Sequence, residues 1–256
     1  MNANGFEKLH GIDEMDEKQV LTLCRTAEWL TRQKLSGTIE LYRPVKVQTG
    51  RTPRQTGARR IRRTNVMKRI GILGAGTWGM ALARMLTVSG NDVLVWSAIE
   101  KEIDSLSTTR KHPNLPQMKI PDELRFTKSI EEVCKDKDIL LFAVPSVFVR
   151  STAAKARPYV ADGQIIVDVA KGIEPDTLYT MTEILADELG KEGGPKSVRL
   201  VALSGPTHAE EVAIDLPTTI VSASKDMEAA AFVQEVFTNN VMRVYTNEDI
   251  KGVELS

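Results

Sequence analysis

The chain has 256 residues with 34 basic and 34 acidic side chains, so its formal net charge is zero. This balance disfavours nucleic acid or a membrane surface as a partner of the whole chain. The two cysteines, Cys24 and Cys134, lack metal-ligand spacing, and so small a number is typical of a reducing cytoplasm. Because no apolar run is long enough to span a bilayer, we expect a cytoplasmic protein with no membrane span and no metal site.

The first 66 residues differ in charge from the rest, with 13 lysines and arginines against 7 acids. Apolar spacing predicts a short amphipathic helix over 13–35, and the basic stretch 43–63, interrupted by Gly and Pro, predicts a solvated linker. A nucleic-acid-binding tail is the alternative, but aromatic residues for base stacking are nearly absent there. We therefore predict an extension over 1–66 and a separate dinucleotide-binding domain over 67–256.

From Lys68 onward, predicted strands and helices alternate. The strands are predicted at 69–73, 92–96, 124–127, 138–143, 164–169, 198–203, 217–223 and 241–245. The helices are predicted near 78–89, 99–107, 128–134, 146–157, 176–189, 207–214 and 226–238. Short apolar runs separated by helical segments are typical of a Rossmann-type, doubly wound α/β fold, with a mostly parallel sheet covered by helices on both faces.

A glycine-rich turn follows the first of these strands. Residues 68–73 lead directly into Gly74-Ala-Gly76-Thr-Trp-Gly79 and then into a helical run. The pattern GxGxxG is a weak signal alone, but between a strand and a helix it predicts a dinucleotide site. Gly74 permits the tight turn, Gly76 leaves room for the pyrophosphate, and Gly79 lets the helix pack closely on the strand. The amides at the helix start attract the phosphates.

The residues after the second strand bear on the choice of cofactor. Ser97, Ala98 and Ile99 include neither the acid that would bind ribose hydroxyls nor a cation for a 2′-phosphate. Glu100 comes late, at the start of the next helix. We therefore expect NAD or NADP as cofactor, and the missing cation favours NAD.

Four further segments carry the rest of the pattern: Leu141-Phe-Ala-Val-Pro-Ser146, Asp168-Val-Ala-Lys-Gly-Ile-Glu174, Leu203-Ser-Gly-Pro-Thr-His-Ala-Glu-Glu-Val-Ala213 and Arg243-Val-Tyr-Thr-Asn-Glu-Asp-Ile-Lys-Gly-Val-Glu-Leu255. Three of them leave predicted strands at the carboxyl edge of the sheet, where ligands bind in open α/β folds. Together with the glycine turn, this ordered set resembles the bacterial NAD(P)-dependent sn-glycerol-3-phosphate dehydrogenases. The resemblance runs from about Met67 to Ser256.

The resemblance implies reversible hydride transfer between the nicotinamide and dihydroxyacetone phosphate, which supplies glycerol 3-phosphate for phospholipid synthesis. It also implies a homodimer at full length. The cofactor contacts that it implies, besides the three glycines, are Thr77, Trp78, Phe148, Lys171 and Ala209. The substrate contacts that it implies are Lys171, Gly205 and Thr207.

Lys171 is the one catalytic candidate that the chain itself offers. A cation at a strand end can polarise a carbonyl or neutralise a phosphate, although most lysines in such loops are only solvated. His208 lies near a predicted helix start, but nothing assigns it an acid or base role. We interpret it as a packing or solvent-facing residue.

Three departures from the family pattern set further expectations. Asn114 stands where a tyrosine is usual, and the segment 97–99 lacks the usual His or Arg. The pattern also stops before the Lys-Asn pair whose lysine moves the proton, and before the helical substrate domain. We therefore expect negligible activity from these 256 residues alone.

Two alternatives remain open from the sequence. One is another two-domain dehydrogenase, such as a ketopantoate or hydroxyacid reductase, although the segments SGPTHAEEVA and AKGIE argue against it. The other is a non-catalytic dinucleotide-binding module whose basic arm binds nucleic acid. A salt-dependent DNA shift that disappears without residues 1–66 would favour the second.

Overall fold

An eight-stranded sheet forms the centre of the part of the chain that this computed structural model describes, residues 67–256. The predicted extension over 1–66, with its helix and basic linker, lies outside the described residues. Because apolar β-branched and leucine side chains fill most strands on both sides, the strands form a sheet that is buried on both faces.

The strands are β1 (Arg69–Leu73), β2 (Asp92–Trp96), β3 (Arg125–Thr127), β4 (Ile139–Phe142), β5 (Gln164–Asp168), β6 (Val198–Ser204), β7 (Thr218–Ala223) and β8 (Met242–Asn247). Their order in the sheet is β3-β2-β1-β4-β5-β6-β7-β8. All neighbours run parallel except β6 and β7, which are antiparallel. The strand order reverses between β1 and β4, and a crevice for ligands is expected outside the carboxyl ends at such a point.

The helices are α1 (Thr77–Val88), α2 (Glu100–Thr109), α3 (Ile130–Cys134), α4 (Val149–Ala156), α5 (Met181–Leu189), α6 (Ala209–Ala213), α7 (Met227–Phe237) and α8 (Ile250–Glu254). One apolar cluster packs α1, α2, α6 and α7 against one face of the sheet, and a second packs α3, α4 and α5 against the other. The predicted doubly wound, mostly parallel fold is confirmed.

The main difference from the predicted elements lies before α5. A helix from 176 was predicted, but residues 173–180 form a narrow turn in which Ile173 and Thr180 pair as an isolated bridge. Thr180 and Glu183 then form a capping box, which fixes the helix start at Met181. The predicted helix 146–157 is also wrong in detail, because 3₁₀ turns occupy Ser146–Phe148 and Arg157–Tyr159 on either side of α4.

Candidate functional site

Two close backbone approaches shape the glycine turn between β1 and α1. Gly74 has φ of +122°, and a Cβ there would lie 2.5 Å from the carbonyl oxygen of Ala143. A Cβ on Gly79 would lie 2.4 Å from the carbonyl oxygen of Gly74. Neither position has room for a side chain, and Gly74 also needs a backbone conformation that favours glycine. This geometry agrees with the turn and packing roles predicted for the two residues.

Gly76 differs from these glycines because open space surrounds its Cα. A Cβ there would meet no atom within 4 Å, and its φ of −69° is open to any residue. Gly76 is the N-cap of α1, and no side chain caps the helix. The amides that begin α1, those of Thr77 and Trp78 included, therefore leave a partial positive charge with room for an anion. The fold does not require glycine at 76, whereas close approach of a phosphate does.

Lys171 and Gly205 meet between the loops that follow β5 and β6. The exposed Lys171 donates from Nζ to the carbonyl oxygen of Gly205 at 3.2 Å. The backbone N–H of Thr207 donates to the same oxygen at 2.9 Å. The structure thus brings the three predicted substrate contacts together. Because the ammonium makes this one hydrogen bond within residues 67–256, its other N–H groups are available to ligand oxygens.

The loop after β4 connects the glycine turn with the loop after β5. At one end Ala143 lies against Gly74, and at the other a Cβ on Gly172 would lie 3.0 Å from Ser146 Cβ and Oγ. Gly172 has φ of +142°, so the chain turns tightly here. Phe148, a predicted cofactor contact, is 56% exposed on the 3₁₀ turn that follows β4. Its ring is therefore available to a ligand at this edge.

Ala209, the remaining predicted cofactor contact, is the first residue of α6 and packs partly against the core. His208 before it is exposed and caps no helix amide, so it faces solvent as the sequence analysis interpreted it. Helix α6 packs against α1, and both guanidinium NH groups of Arg84 in α1 donate to Asp215 at 2.7 Å. Helix α6 is thereby fixed to the helix that begins at the glycine turn.

An acidic side chain reaches the end of β2, although none stands there in the sequence. Ser97 follows β2 directly, and its Oγ donates to Glu102 Oε2 at 2.7 Å. The N–H of Ile99 donates to the same Oγ at 3.1 Å, which folds residues 97–102 into a tight turn. The sequence signal for this carboxylate was a serine just before a helix with an acid in its first turn.

His112 connects the 110–116 loop to the glycine turn, a link that the sequence analysis missed. The N–H of Asn114 donates to His112 Nδ1 at 3.2 Å, so the proton of the neutral ring is assigned to Nε2. Burial lowers the pKa of His112, while a hydrogen bond to the Ala75 backbone and the nearby Glu102 charge oppose that shift. The imidazole is therefore held neutral, and it lines the same cleft as Ala75 of the glycine turn.

Asp168 is a buried carboxyl at the carboxyl end of β5, three positions before Lys171. Its side chain is nearly inaccessible, and its Oδ1 has no hydrogen-bond partner within residues 67–256. Burial, and to a smaller degree the Glu254 carboxylate, hold the pKa of Asp168 well above its ordinary value. Glu254 of α8 is itself held by the N–H and hydroxyl of Thr182, at 2.8 and 2.7 Å. Burial therefore favours the protonated form of Asp168, and we interpret the residue as structural.

Glu174 has a structural role within the loop after β5. Arg150 of α4 donates from Nε and one NH group to the two oxygens of Glu174, each at 2.7 Å. The Thr177 hydroxyl adds a third hydrogen bond at 2.6 Å. The Arg150 guanidinium, followed by Thr177, lowers the pKa of Glu174 to about 2. This ion pair fixes the turn 173–180 against α4.

We expect Glu174→Gln to lower the Tm at pH 7, because the bidentate charge pairing is lost. With a pKa of about 2 in the fold and 4.5 as the ordinary value, the carboxylate stabilises fully above pH 4.5 and loses this effect as the pH falls through 2. The Tm difference between wild type and variant should therefore shrink between pH 4.5 and pH 2. Thermal unfolding over that range tests this, with Glu192→Gln as the exposed control. A pH-independent difference would contradict it.

Among residues 67–256 no group of three or more His, Cys, Asp or Glu side chains is placed to hold a metal ion. Within the same residues no helix has the length and apolar character to cross a membrane. Cys134, the described cysteine, is a buried free thiol, and burial raises its pKa to about 12. The carboxyl edge thus offers the Lys171 ammonium, the first amides of α1 and the Glu102 carboxylate to a ligand.

A family model described as the NAD-dependent glycerol-3-phosphate dehydrogenase N-terminus matches residues 69–230. The chain belongs to this family. The glycerol-3-phosphate dehydrogenase [NAD(P)+] 2 of Lactobacillus delbrueckii subsp. bulgaricus is 67% identical over 189 residues, which are 74% of this chain and 56% of that protein. The glycerol-3-phosphate dehydrogenase [NAD(P)+] of Bacillus subtilis is 42% identical over 192 residues, 74% of this chain and 54% of that protein.

Solved structures of the glycerol-3-phosphate dehydrogenase family show the same fold. That of the Coxiella burnetii enzyme superposes with a TM-score of 0.65 at 30% identity, covering 73% of this chain and 56% of the other. A UDP-glucose dehydrogenase of Pyrobaculum islandicum, at a TM-score of 0.57 and 20% identity, shares the fold alone. The family resemblance seen in the sequence is confirmed. The chain spans little more than half the length of the curated relatives that it matches.

Proposed function

We propose that this chain provides the dinucleotide-binding half of an NAD(P)-dependent sn-glycerol-3-phosphate dehydrogenase. The observation that carries the proposal is the juxtaposition of an open, uncapped glycine turn with Lys171 and Gly205 at one sheet edge, in a chain of this family. The reaction is the interconversion of glycerol 3-phosphate and dihydroxyacetone phosphate. Its product glycerol 3-phosphate serves glycerophospholipid synthesis.

The glycine turn fits the pyrophosphate of NAD or NADP. A Cβ at Gly76 would fill space that no protein atom occupies, directly beside the unpaired amides of α1. Those amides and the helix dipole bind the phosphate oxygens, while Gly74 and Gly79 hold the turn close to β4. In this proposal Thr77, Trp78, Phe148 and Ala209 complete the cofactor contacts, as the family resemblance implies.

Lys171 acts on the substrate side of the same edge. When bound, the nicotinamide supplies or accepts the hydride at C2 of the substrate. The Lys171 ammonium can neutralise the substrate phosphate or the charge that develops on the C2 oxygen, because its one bond to Gly205 leaves donors free. Gly205 and Thr207 line the approach and fix the lysine position.

The first test uses the 256 residues as they are. We expect the purified chain to bind NADH but to oxidise it with dihydroxyacetone phosphate at a negligible rate, because nearly half of the length of its relatives lies outside it. A fluorescence titration measures NADH binding, and a stopped assay with excess protein measures NADH oxidation. Turnover at ordinary dehydrogenase rates, about 1–10³ s⁻¹, would contradict this expectation.

The second test asks for the activity itself. Residues 67–256 are joined to the carboxyl-terminal portion of the Lactobacillus delbrueckii relative, and NADH oxidation by dihydroxyacetone phosphate is followed. We expect turnover, and we expect Lys171→Met to reduce kcat/KM by about 10²–10³-fold, as for other electrostatic catalytic groups. The control is Lys155→Met on α4, which should be silent. An active chimera that Lys171→Met leaves unchanged would remove Lys171 from the mechanism. Turnover with a keto acid but not with dihydroxyacetone phosphate would contradict the proposed substrate.

We also propose that the protein works in the cytoplasm and as a homodimer at full length. The support for the first is the buried, free Cys134 thiol, which suits a reducing compartment. The support for the second is the family resemblance alone. Cell fractionation tests the cytoplasmic location, and sedimentation of the full-length protein tests the homodimer.

A further inference from the structure

The Glu102 carboxylate is fixed at the place where Rossmann-type folds bind the adenosine ribose. Buried Ser97 Oγ holds Glu102 Oε2 at 2.7 Å, immediately beyond the carboxyl end of β2. The other carboxylate oxygen, Oε1, has no hydrogen-bond partner within residues 67–256. An acid in this position is suited to accept hydrogen bonds from ribose hydroxyls.

A cleft joins this carboxylate to the glycine turn. Its volume is about 220 Å³, and its walls include Ala75 of the turn, Glu102 of α2 and His112. His112 is buried and lies in the wall of this cleft with Ala75. The same cleft therefore borders the glycine turn at Ala75 and the Glu102 side chain, so that a dinucleotide bound on the turn can extend along it towards the carboxylate.

We propose that Glu102 is the residue that selects NAD over NADP in this protein. The inference rests on the cofactor binding proposed above and adds the residue that discriminates. With NAD, the Glu102 carboxylate accepts hydrogen bonds from the ribose hydroxyls. With NADP, the same fixed negative charge faces the 2′-phosphate dianion, and like charges at close range repel.

The cations near Glu102 do not offset this repulsion. Lys128 is committed to Asp104 at 2.8 Å and to Glu100 at 3.5 Å. Lys101 also lines the cleft, but it is exposed and makes no hydrogen bond or ion pair within the described residues. Both side chains are exposed, but the Lys101 ammonium has no partner that fixes it, whereas the buried Ser97 hydroxyl holds the Glu102 carboxylate in one position. Glu102 is therefore the charge that is fixed beside the expected ribose position.

The test compares the Kd values of the 256-residue chain for NADH and NADPH by fluorescence titration in one buffer. We expect wild type to bind NADH at least about tenfold more tightly, which corresponds to 1.4 kcal/mol. Glu102→Gln removes the charge but keeps an oxygen for Ser97, and it should raise NADPH affinity until the two Kd values lie within about threefold. Glu100→Gln, a neighbouring acid that does not line the cleft, should leave the ratio unchanged. Lys101→Ala should weaken both cofactors alike.

Any of three outcomes with wild type or the acid variants would overturn the inference while leaving the proposed function standing. They are equal Kd values of the wild type for NADH and NADPH, a Kd ratio that Glu102→Gln leaves unchanged, and a Glu100→Gln variant that changes this ratio as much as Glu102→Gln does. A selective loss of NADPH binding in Lys101→Ala would also overturn the inference, because the lysine would then be the residue that binds the 2′-phosphate. Binding of neither cofactor to folded wild-type protein would contradict the proposed function itself.

Discussion

Replacing Gly76 by serine is expected to remove dinucleotide binding and to leave the fold intact. The space beside Gly76 is open and its backbone is extended, so the Cβ of a serine fits there without overlap. Serine is a favourable N-cap. Its hydroxyl oxygen would accept a hydrogen bond from an N–H group of α1 that is otherwise available to a phosphate. Losing one or two charge-assisted hydrogen bonds, each about 1.5–3 kcal/mol, should weaken NADH binding by roughly 10²-fold or more.

Gly79→Ala provides the matched comparison, because its Cβ would lie 2.4 Å from the Gly74 carbonyl oxygen. That overlap should destabilise the chain by about 1–3 kcal/mol, the usual range for overpacking. Urea unfolding and NADH titration of both variants separate the two effects. A Gly76→Ser variant that binds NADH like wild type would show that the phosphates lie elsewhere. A strongly unfolded Gly76→Ser variant would show that the glycine is structural.

Asp168→Asn is expected to stabilise the chain at neutral pH. The buried carboxyl has a pKa well above the ordinary 3.8, so an unfolded chain releases a proton that the folded chain retains. Stability from this group is complete below pH 3.8 and is lost progressively as the pH rises towards the folded pKa. Asparagine has the same shape and no charge. Because the unfolded chain ionises this group at pH 7 and burial opposes ionisation in the folded chain, we expect Asp168→Asn to raise the free energy of unfolding at pH 7.

The measurement is the free energy of unfolding in urea between pH 4 and pH 8. The gain from Asp168→Asn should be small at pH 4 and grow with pH, whereas the exposed control Asp176→Asn should change little at any pH. An Asp168→Asn variant that is less stable than wild type at pH 7 would mean that the carboxylate is ionised and paired in the fold.

Most of the fold could be predicted from the sequence because its strands are short, nearly continuous apolar runs, as expected for strands buried on both faces of a sheet. All eight strands were predicted within two residues of their observed ends. The turn 173–180 was missed because its shape depends on the Arg150–Glu174 pair, which joins residues far apart in the chain. Helix α8 was missed because five residues carry too little periodicity.

The sequence predicted the parts of the site where a local motif fixes the backbone. It did not predict the parts where a side chain acts through a tertiary contact. The glycine turn and the Lys171 loop are read from local patterns, since strand ends place them at one edge. Glu102 and His112 were missed because each acts through a contact, to Ser97 and to Ala75, that no local pattern shows. Asp168 was quoted within a motif, but its burial follows from tertiary packing at the end of β5, which no local pattern shows.

A crystal structure of the chain grown with NADH tests the central claim most directly. The account predicts one bound dinucleotide, with its pyrophosphate on the N-terminus of α1 at Gly76 and its adenosine ribose beside Glu102. A folded chain without bound cofactor at saturating NADH, or a dinucleotide bound away from the carboxyl edge of the sheet, would contradict the account.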